Sequence, residues 1–299
     1  MLFKQNCSLF RKLLAQKCLM MPGAYNGMVS RQCADNGFEA LYISGAAVTA
    51  SSGVPDIGMV TLDGFCKTIK DVALASGLPI LADADTGFGE GEMCSKTVWE
   101  YFIHGASGLH IEDQVFPKRC GHLDGKELIP SDVMEKKIQI AKNASIQCSG
   151  GDFVICARTD ARGTHGLDEC IKRSKAYIDA GADMIFPEGL HTKEEMAVVA
   201  KELKSKNPNI YLLANMTEFG KTPYISLKEF QQMGYNCVIY PVSTLRIASK
   251  AIDEFLKQLK KDESQVNSVQ NMQTRKELYS TLGYTPGKEW YFPNSKKQQ

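Results

Sequence analysis

Short apolar runs recur along the whole chain, and most of them end in a polar or charged residue. There are eight such runs: CLMMPGA, ALYISG, PILADAD, GLHIED, FVICARTD, MIFPEG, YLLANMT and CVIYPVS. Their hydrophobicity is continuous rather than alternating, which is typical of parallel strands buried on both faces. Amphipathic stretches of helical length separate the runs, as in LDECIKRSKAYIDAGAD. Eight alternating β and α units predict a (β/α)8 barrel of the TIM type rather than an open doubly wound sheet.

Glycines support this division into units. Five predicted helices end at a glycine shortly before the next strand, at Gly37, Gly77, Gly105, Gly181 and Gly234. Glycine tolerates the left-handed backbone conformation that ends many helices. No GxGxxG follows the first strand, which disfavours a dinucleotide-binding sheet.

The barrel also predicts the domain organisation. We expect a single domain over residues 1–299, with the barrel core at about 18–245 and a helical extension over 246–299. The extension contains two helix-like segments, LRIASKAIDEFLKQLKKDE and NSVQNMQTRKELYSTLGY. Because the barrel is complete before they begin, their apolar faces must be buried elsewhere, and a second subunit offers such a surface.

Composition excludes several classes of function. The 299 residues include 35 Lys and Arg against 34 Asp and Glu, so the net charge is +1. This balance gives no broad basic surface for nucleic acid or a membrane. No apolar run approaches the roughly 20 residues of a membrane span. The ten cysteines are scattered through apolar runs, which predicts reduced thiols in a cytosol-like compartment.

The first residues, MLFKQNCSLFRKLLAQK, are basic and lack acidic side chains. Such a segment suits a mitochondrial leader, but the spacing of its apolar residues equally suits a first helix that packs on the barrel. We favour the helix. The expected location is cytoplasmic, or the mitochondrial matrix if the source is eukaryotic.

In such barrels the active site lies at the carboxyl ends of the strands. Polar side chains follow the predicted strands at this end: Tyr42, Ser44, Asp83, Asp85, His110, Glu112, Arg158, Glu188, Asn215, Thr217 and the turn from Pro241 to Ser243. So many polar groups would be costly inside a core. They predict an active site at this rim.

Three carboxylates of the rim predict a metal site. Asp83 and Asp85 are two residues apart on a predicted strand, so they should point the same way, and Glu112 ends the adjacent strand. Their oxygen ligands suit Mg²⁺ or Mn²⁺. A solvated acidic loop is the alternative, because a DxD pattern alone is common. Asp56 joins the metal shell through water or merely forms a turn.

Other rim residues suit an anionic substrate. Arg158 and Arg246 offer planar two-point contacts to carboxylates. Asn215 and Thr217 can hydrogen-bond the same anion. The side chain of Ser44 and the amides of Gly45 and Ala46 form a candidate anion nest.

The stretch PKRCGHLDGKELI places Cys120 beside two cations and near a histidine. Zinc would require further cysteines or histidines at short spacing. A nucleophilic thiolate would use His122 as its base, and Lys118 and Arg119 would lower the thiol pKa. An acid that protonates a carbanion would use the same cations. The residues alone leave the nucleophile and the acid open.

Seven collinear motifs make the chain recognisable: KRCGH, LADADTGFG, GLHIEDQ, ARTDA, IFPE, NMTEFGKTP and MQTRKELY. Together they resemble the isocitrate lyase and phosphoenolpyruvate mutase superfamily, and within it the lyases that cleave 2-methylisocitrate. The similarity extends from about Leu9 to about Tyr284. It implies a helix-swapped (β/α)8 barrel that binds Mg²⁺ and cleaves a carbon–carbon bond in a 2-hydroxy tricarboxylate. It also implies a homotetramer built from two swapped dimers.

The resemblance also implies roles. Asp83 and Asp85 hold the metal, with Asp56, His110 and Glu112 in support, and Cys120 protonates the succinate carbanion after a retro-aldol cleavage that releases pyruvate. Tyr42 is the candidate acceptor of the hydroxyl proton, with a water or a rim carboxylate as alternatives. The implied substrate contacts are Ser44, Gly45, Ala46, Gly121, Arg158, Phe186, Glu188, Asn215, Thr217, Pro241, Arg246 and Arg275.

The superfamily contains several chemistries. Phosphonate-processing members lack the Cys-Gly-His motif, so its presence favours a carbon–carbon lyase of the methylcitrate cycle in propionate catabolism. Phe186 and Pro241 resemble the pocket for 2-methylisocitrate. However, SGAA replaces the frequent SGGG at 44–47, and PGAYNGM resembles broader relatives. Dimethylmalate lyase, oxaloacetate hydrolase and isocitrate lyase-like activities are therefore the alternatives.

Overall fold

The computed structural model describes residues 2–119 and 125–291. Its eight strands form one parallel sheet in the order β1-β8-β7-β6-β5-β4-β3-β2. The strands are β1 Leu19–Pro22, β2 Leu41–Ile43, β3 Ile80–Asp83, β4 Gly108–Glu112, β5 Val154–Thr159, β6 Met184–Pro187, β7 Tyr211–Asn215 and β8 Cys237–Tyr240. Each lies within one of the eight apolar runs, so the predicted (β/α)8 fold is confirmed.

The barrel closes between β1 and β2. A parallel bridge joins Gly23 to Tyr42, and the amide of Ala24 donates to the carbonyl of Tyr42 at 2.9 Å. Gly23 has no space for a side chain, because a Cβ there would lie 2.1 Å from the carbonyl oxygen of Pro241. A glycine at this position therefore lets the ends of β1 and β8 approach closely.

Helices follow the strands and cover the outside of the barrel. They are α1 Leu2–Gln16, α2 Gly27–Asp35, α3 Gly45–Ser51, α4 Leu62–Ser76, α5 Glu92–His104, α6 Ser131–Ser149, α7 Ala161–His165, α8 Leu167–Asp179, α9 Lys193–Lys206, α10 Leu227–Met233, α11 Ser243–Asp262 and α12 Arg275–Leu282, with a 3₁₀ turn over Val266–Asn271. All five glycines predicted to end helices have positive φ, as the turn into the next strand requires.

Alternation along each strand divides the core into two layers. On β5, Val154 and Cys156 pack inside the barrel, whereas Ile155 and Ala157 pack against the surrounding helices. The inward series continues to Arg158 at the end of the same strand. The inward face is therefore apolar at the amino end and polar at the carboxyl end, which places the polar groups at one rim.

Helix α1 packs across the amino end of the barrel. Its residues Phe10, Leu13 and Leu14 are buried in the same cluster as the inward-facing strand residues. The side-chain amide of Asn236 donates to the carbonyl of Leu14 at 2.9 Å. The predicted packing of a first helix on the barrel is confirmed. None of the described helices combines the length and apolar composition that crossing a membrane requires.

Helix α11 follows β8 but has no buried residue. Its apolar side chains are exposed, with Ile247 at 75%, Ile252 at 57% and Leu256 at 53%. Helix α12 contacts α2. Residues 246–291 thus contain two helices and a 3₁₀ turn, and the apolar face of α11 lacks a cover within the described chain.

Candidate active site

The inward-facing polar residues surround a small cavity of about 60 Å³ at the carboxyl ends of the strands. Its lining comprises Tyr42, Ser44, Ala46, Asp56, Asp83, Lys118, Arg158, Phe186, Glu188, Asn215, Thr217, Ile239, Pro241 and Val242. All of these except Ile239 were predicted for the site, Val242 as part of the turn from Pro241 to Ser243. The alternation of β8 could have identified Ile239, because it faces inward two residues after Cys237.

The two aspartates of the DxD pattern lie close together, but only Asp83 lies on the predicted strand. Strand β3 ends at Asp83, and Asp85 lies beyond it with φ 45°. The expectation that both lie on the strand was wrong, because the chain turns after Asp83. The turn nevertheless brings them together, since the amide of Asp85 donates to Oδ1 of Asp83 at 2.9 Å. The amide of Gly45 donates to Oδ2 of Asp83 at 3.0 Å.

Burial separates the proton affinities of this pair. Burial would raise the pKa of Asp83, but surrounding positive charge and the amide of Asp85 lower it to about 2. Burial and the negative charge of Asp83 raise the pKa of Asp85 to about 6. One carboxylate is therefore ionised throughout the physiological range, and the second gains a proton in mildly acidic solution even with Lys118 beside it.

The ammonium of Lys118 lies among these carboxylates. Its Nζ is 2.5 Å from Oδ1 of Asp56 and 2.8 Å from Oδ1 of Asp85. The side chain is only 2% exposed. Burial would lower the pKa of Lys118, but Glu112, Asp83 and the other rim carboxylates raise it above its ordinary value. The rim thus holds a buried positive charge at the position predicted for the metal.

The same groups fit a divalent cation. The Lys118 ammonium stands where a cation would be attracted, and the donor set around it consists of carboxylate oxygens, which Mg²⁺ and Mn²⁺ prefer. Oε1 of Glu112 is buried and has no hydrogen-bond partner among the described residues. Burial raises the pKa of Glu112 well above its ordinary value. A bound cation would give Oε1 a partner and would favour the ionised form of Glu112.

Tyr42 and His110 form a buried pair beside Asp83. The Tyr42 hydroxyl is 2.8 Å from Nε2 of His110, and Nε2 is 3.7 Å from Oδ1 of Asp83. Burial lowers the pKa of His110 to about 4 and raises that of Tyr42 well above 10. Both are neutral near pH 7. Tyr42 therefore presents a protonated phenol, which disfavours it as the acceptor of the hydroxyl proton.

Arg158 is the buried cation on the other side of the cavity. Its Nη1 is 3.1 Å from Oε2 of Glu112, and its guanidinium carbon lies 5.2 Å from the ring centroid of Phe186. Asp160 contacts two further nitrogens of the guanidinium. Sequence reasoning did not single out Asp160, although it belongs to the ARTDA motif. The arrangement presents a fixed cation to an anionic ligand.

The remaining cavity walls combine polar and apolar groups. The side-chain amide of Asn215 donates to Oε2 of Glu188 at 3.1 Å. Ser44 caps α3, and its hydroxyl accepts from the amide of Ala47 at 3.4 Å. The amide of Gly45 contacts Asp83, so the predicted anion nest is partly used by the protein itself. Ala46 lines the cavity.

Several predicted residues lie outside the cavity or outside the described chain. The backbone of Arg119 is bound to the side chain of Gln114 through two contacts of 2.9 Å. Arg246 is half-exposed and lies 3.6 Å from Glu218. Arg275 lines a separate groove on α12. Cys120, Gly121 and His122 lie outside the described residues.

A second group of metal-ligating side chains lies away from the rim. Cys66 on α4 and Glu100 and His104 on α5 have ligand atoms within 4.8 Å of one another, and over residues 2–119 and 125–291 no other set of three meets this distance. Nδ1 of His104 is 2.7 Å from the carbonyl oxygen of Glu100. This group lies on the helical outer layer and contributes nothing to the cavity.

Comparison with known proteins agrees with this geometry. The family model described as phosphoenolpyruvate phosphomutase matches residues 10–260. A 2-methylisocitrate lyase from Bacillus subtilis is 46% identical over 92% of this chain and 88% of its own length. A 2,3-dimethylmalate lyase from Eubacterium barkeri is 38% identical over 91% of this chain and 92% of its own.

Solved structures show the same architecture. The crystal structure of a 2,3-dimethylmalate lyase superposes with a TM-score of 0.86 at 36% identity, covering 93% of this chain and 91% of that one. A phosphonopyruvate hydrolase complexed with oxalate and Mg²⁺ gives 0.82 at 26% identity, covering 95% of each chain. The resemblance drawn from the seven motifs is confirmed. With its eight-stranded barrel and its carboxylate rim, the chain belongs to the phosphoenolpyruvate mutase and isocitrate lyase superfamily, in which its similarity to lyases makes it a carbon–carbon lyase.

Proposed function

We propose that this protein is an Mg²⁺-dependent lyase that cleaves 2-methylisocitrate to pyruvate and succinate in the methylcitrate cycle. The observation that supports it most is the meeting of a buried arginine, Arg158, with a carboxylate rim in one cavity. Such a site suits a substrate that brings several carboxylates together with a metal ion. The 46% identity to a 2-methylisocitrate lyase favours this substrate over those of the other relatives.

Asp83 and Asp85 are the residues that would hold Mg²⁺ or Mn²⁺, with Asp56, His110 and Glu112 in support. When bound, the cation would lower the pKa of the substrate hydroxyl and offset negative charge on the substrate oxygens. The protein must then move Lys118, because its ammonium contacts both Asp56 and Asp85.

Substrate binding depends mainly on Arg158. Its guanidinium is buried, and the Phe186 ring fixes it from one side. Asn215 and Thr217 line the same cavity and would hydrogen-bond a second carboxylate. Pro241 and Phe186 add the apolar wall that would contact the methyl group. A methyl group changes discrimination by only about 1–3 kcal/mol, so these few side chains set the substrate preference.

The proposed cleavage needs one proton acceptor and one proton donor. The substrate hydroxyl loses its proton, the C2–C3 bond breaks with its electron pair passing to C3, and pyruvate leaves. Cys120 then gives a proton to C3, which completes succinate. Because Tyr42 is neutral and protonated, we assign it to hydrogen bonding with a substrate oxygen, and the acceptor is a water or a rim carboxylate.

An assay across related substrates tests the function. Purified protein with Mg²⁺ is expected to release pyruvate from 2-methylisocitrate faster than from isocitrate, and EDTA is expected to stop the reaction. Activity confined to 2,3-dimethylmalate or oxaloacetate would refute the proposed substrate while keeping the superfamily. Cys120→Ser is expected to bind substrate but lose most turnover, and normal turnover would exclude the acid role.

We also propose that the protein acts as a homotetramer of helix-swapped dimers. The apolar side chains of α11 support this, because Ile247, Ile252 and Leu256 are exposed on a helix without buried residues. Ile247→Glu is expected to reduce the mass measured by light scattering. Lys257→Glu serves as its control, because Lys257 is 73% exposed and does not line the groove beside Ile247. An unchanged mass would argue against this surface.

The compartment is a further proposal. All nine cysteines of the described chain are free, and eight of them are buried. This pattern suits the reducing cytosol or, for a eukaryotic source, the mitochondrial matrix.

A further inference from the structure

One carboxylate, that of Asp160, holds the substrate arginine in place. Nε of Arg158 donates to Oδ2 of Asp160 at 3.0 Å, and Nη2 donates to Oδ1 at 3.2 Å. Asp160 has no solvent exposure. A two-point contact fixes the plane of a guanidinium, which a single contact does not. The remaining nitrogen, Nη1, lies at 3.1 Å from Glu112 on the side of the cavity.

The position of Asp160 is fixed in turn by Asp113. The amide of Asp160 donates to Oδ1 of Asp113 at 3.0 Å, and the hydroxyl of Thr159 donates to Oδ2 at 2.7 Å. Tyr177 and Arg173 also donate to Oδ2. The backbone that bears Asp160 is therefore held by a fully buried hydrogen-bond network.

A second cation, Lys126, binds the same carboxylate. Its Nζ is 2.9 Å from Oδ1 of Asp160, and its side chain is 3% exposed. The neighbouring chain is positioned by antiparallel pairing, in which the amide of Val115 donates to the carbonyl of Glu127 at 2.8 Å. Lys126 does not line the substrate cavity. Burying a lysine is costly unless it is paired, so its pairing with Asp160 calls for a reason.

Charge balance supplies that reason. Arg158 faces two carboxylates, those of Glu112 and Asp160. Without Lys126 the charge of Asp160 would offset that of the guanidinium and weaken the attraction of Arg158 for an anionic substrate. Lys126 pairs with Asp160 and leaves more of the positive charge of Arg158 available to the substrate. Burial would raise the pKa of Asp160, but Arg158 and Lys126 lower it, so Asp160 stays ionised.

We propose that Lys126 and Asp160 are positioning residues that keep Arg158 oriented and available to a substrate carboxylate. The inference rests on the proposed function only in requiring a polycarboxylate ligand. Neither residue contacts the reacting atoms. Their loss should therefore weaken ligand binding much more than it slows the chemical step.

Lys126→Met tests the proposal, because it removes the charge and keeps the length of the side chain. We expect KM for 2-methylisocitrate to rise about tenfold to hundredfold, the equivalent of one charge-assisted hydrogen bond, while kcat changes little. The Kd of oxalate, measured calorimetrically with Mg²⁺, should rise by a similar factor. Lys126→Arg should restore much of both values. Asp160→Asn should reproduce the defect.

Lys142→Met is the matched control. Lys142 makes a 2.7 Å ion pair with Asp183, which lies before β6 at the amino end of the barrel. It should lower the melting temperature without changing KM or the oxalate Kd. Folded Lys126→Met and Asp160→Asn proteins with unchanged KM and oxalate Kd would show a merely structural role and overturn the inference.

The oxalate measurement separates the two proposals. If the wild-type protein binds oxalate but does not cleave 2-methylisocitrate, the proposed function fails and the effect of Lys126→Met on oxalate affinity still decides the inference. A wild-type protein that binds neither compound would overturn both. A fall in kcat with KM and Kd unchanged would also contradict positioning.

Discussion

Replacing Lys118 with methionine should separate the two roles of the carboxylate rim. The ammonium of Lys118 contacts Asp56 at 2.5 Å and Asp85 at 2.8 Å, among the carboxylates proposed to hold the metal. Methionine keeps a similar apolar length and removes the charge. The metal-free variant then holds Asp83 and Asp85 together without their nearest positive charge.

The expected loss is large because the pair is buried. Lys118 is 2% exposed and Asp85 is 5% exposed. Removing one partner of a buried ion pair costs about 3–5 kcal/mol of unfolding free energy. At about 2 °C per kcal/mol, the lower end for mid-sized chains, the melting temperature falls by roughly 6–10 °C in EDTA. Mg²⁺ at about 100 times its Kd raises the unfolding free energy by about 2.7 kcal/mol, which offsets much of the loss.

Thermal unfolding in EDTA and across an Mg²⁺ titration measures both effects. The variant should gain more stability from Mg²⁺ than the wild-type protein, because the metal no longer competes with Lys118. Lys142→Met provides the control, since its ion pair with Asp183 lies away from the rim and its loss should not depend on Mg²⁺. Equal Mg²⁺ stabilisation of wild-type and Lys118→Met proteins would refute competition for the same carboxylates.

Three further predictions follow from the same geometry. Gly45→Ala should weaken Mg²⁺ binding measured by calorimetry, because a Cβ at Gly45 would lie 2.7 Å from Oδ2 of Asp83. The control Gly163→Ala should leave the Mg²⁺ affinity unchanged, because a Cβ there meets only ordinary contacts. Equal affinities of the two variants would exclude this steric effect. The raised pKa of Asp85 contributes stability that is fully present below pH 3.8 and is lost as pH rises through about 6. The loss of melting temperature caused by Lys118→Met in EDTA should therefore be smaller at pH 5 than at pH 7.5. An equal loss at both pH values would contradict the raised pKa of Asp85. Burial raises the pKa of four thiols to about 12, those of Cys7, Cys18, Cys66 and Cys170. These thiols should therefore not react with a disulfide reagent at pH 8 until the protein unfolds. Rapid labelling of the same cysteines in the native protein, identified by peptide mapping, would show that they are accessible.

The strands and most of the cavity could be predicted from the sequence because they depend on local patterns. A continuous apolar run that ends in a polar residue predicts both a buried strand and the rim position of its last side chain. Arg158 and Asp83 were found in this way, and both line the cavity. The positive φ of Asp85 was not predicted, because no residue pattern distinguishes a strand that ends at Asp83 from one that continues.

Contacts between distant segments were beyond sequence reasoning. Lys118 was assigned to the chemistry of Cys120, yet in the structure it pairs with Asp56, 62 positions earlier in the chain. Likewise, Lys126 reaches Asp160 across 34 positions. Charge pairing of this kind depends on which strand ends the barrel brings together. Asp56 and Lys118 follow β2 and β4, whereas Lys126 and Asp160 follow β4 and β5.

These two lysines supply positive charge to the site before ligands arrive. Asp83, Asp85 and Glu112 repel one another in a buried cavity, and burial raises the pKa of Asp85 to about 6 and that of Glu112 well above its ordinary value, although Lys118 lowers both. Lys118 supplies a charge that a metal ion can replace, because its long side chain can move away from the carboxylates. Lys126 supplies a charge outside the cavity lining, so it can remain beside Asp160 when substrate binds to Arg158. One lysine therefore substitutes for a ligand, whereas the other is a permanent part of the binding site.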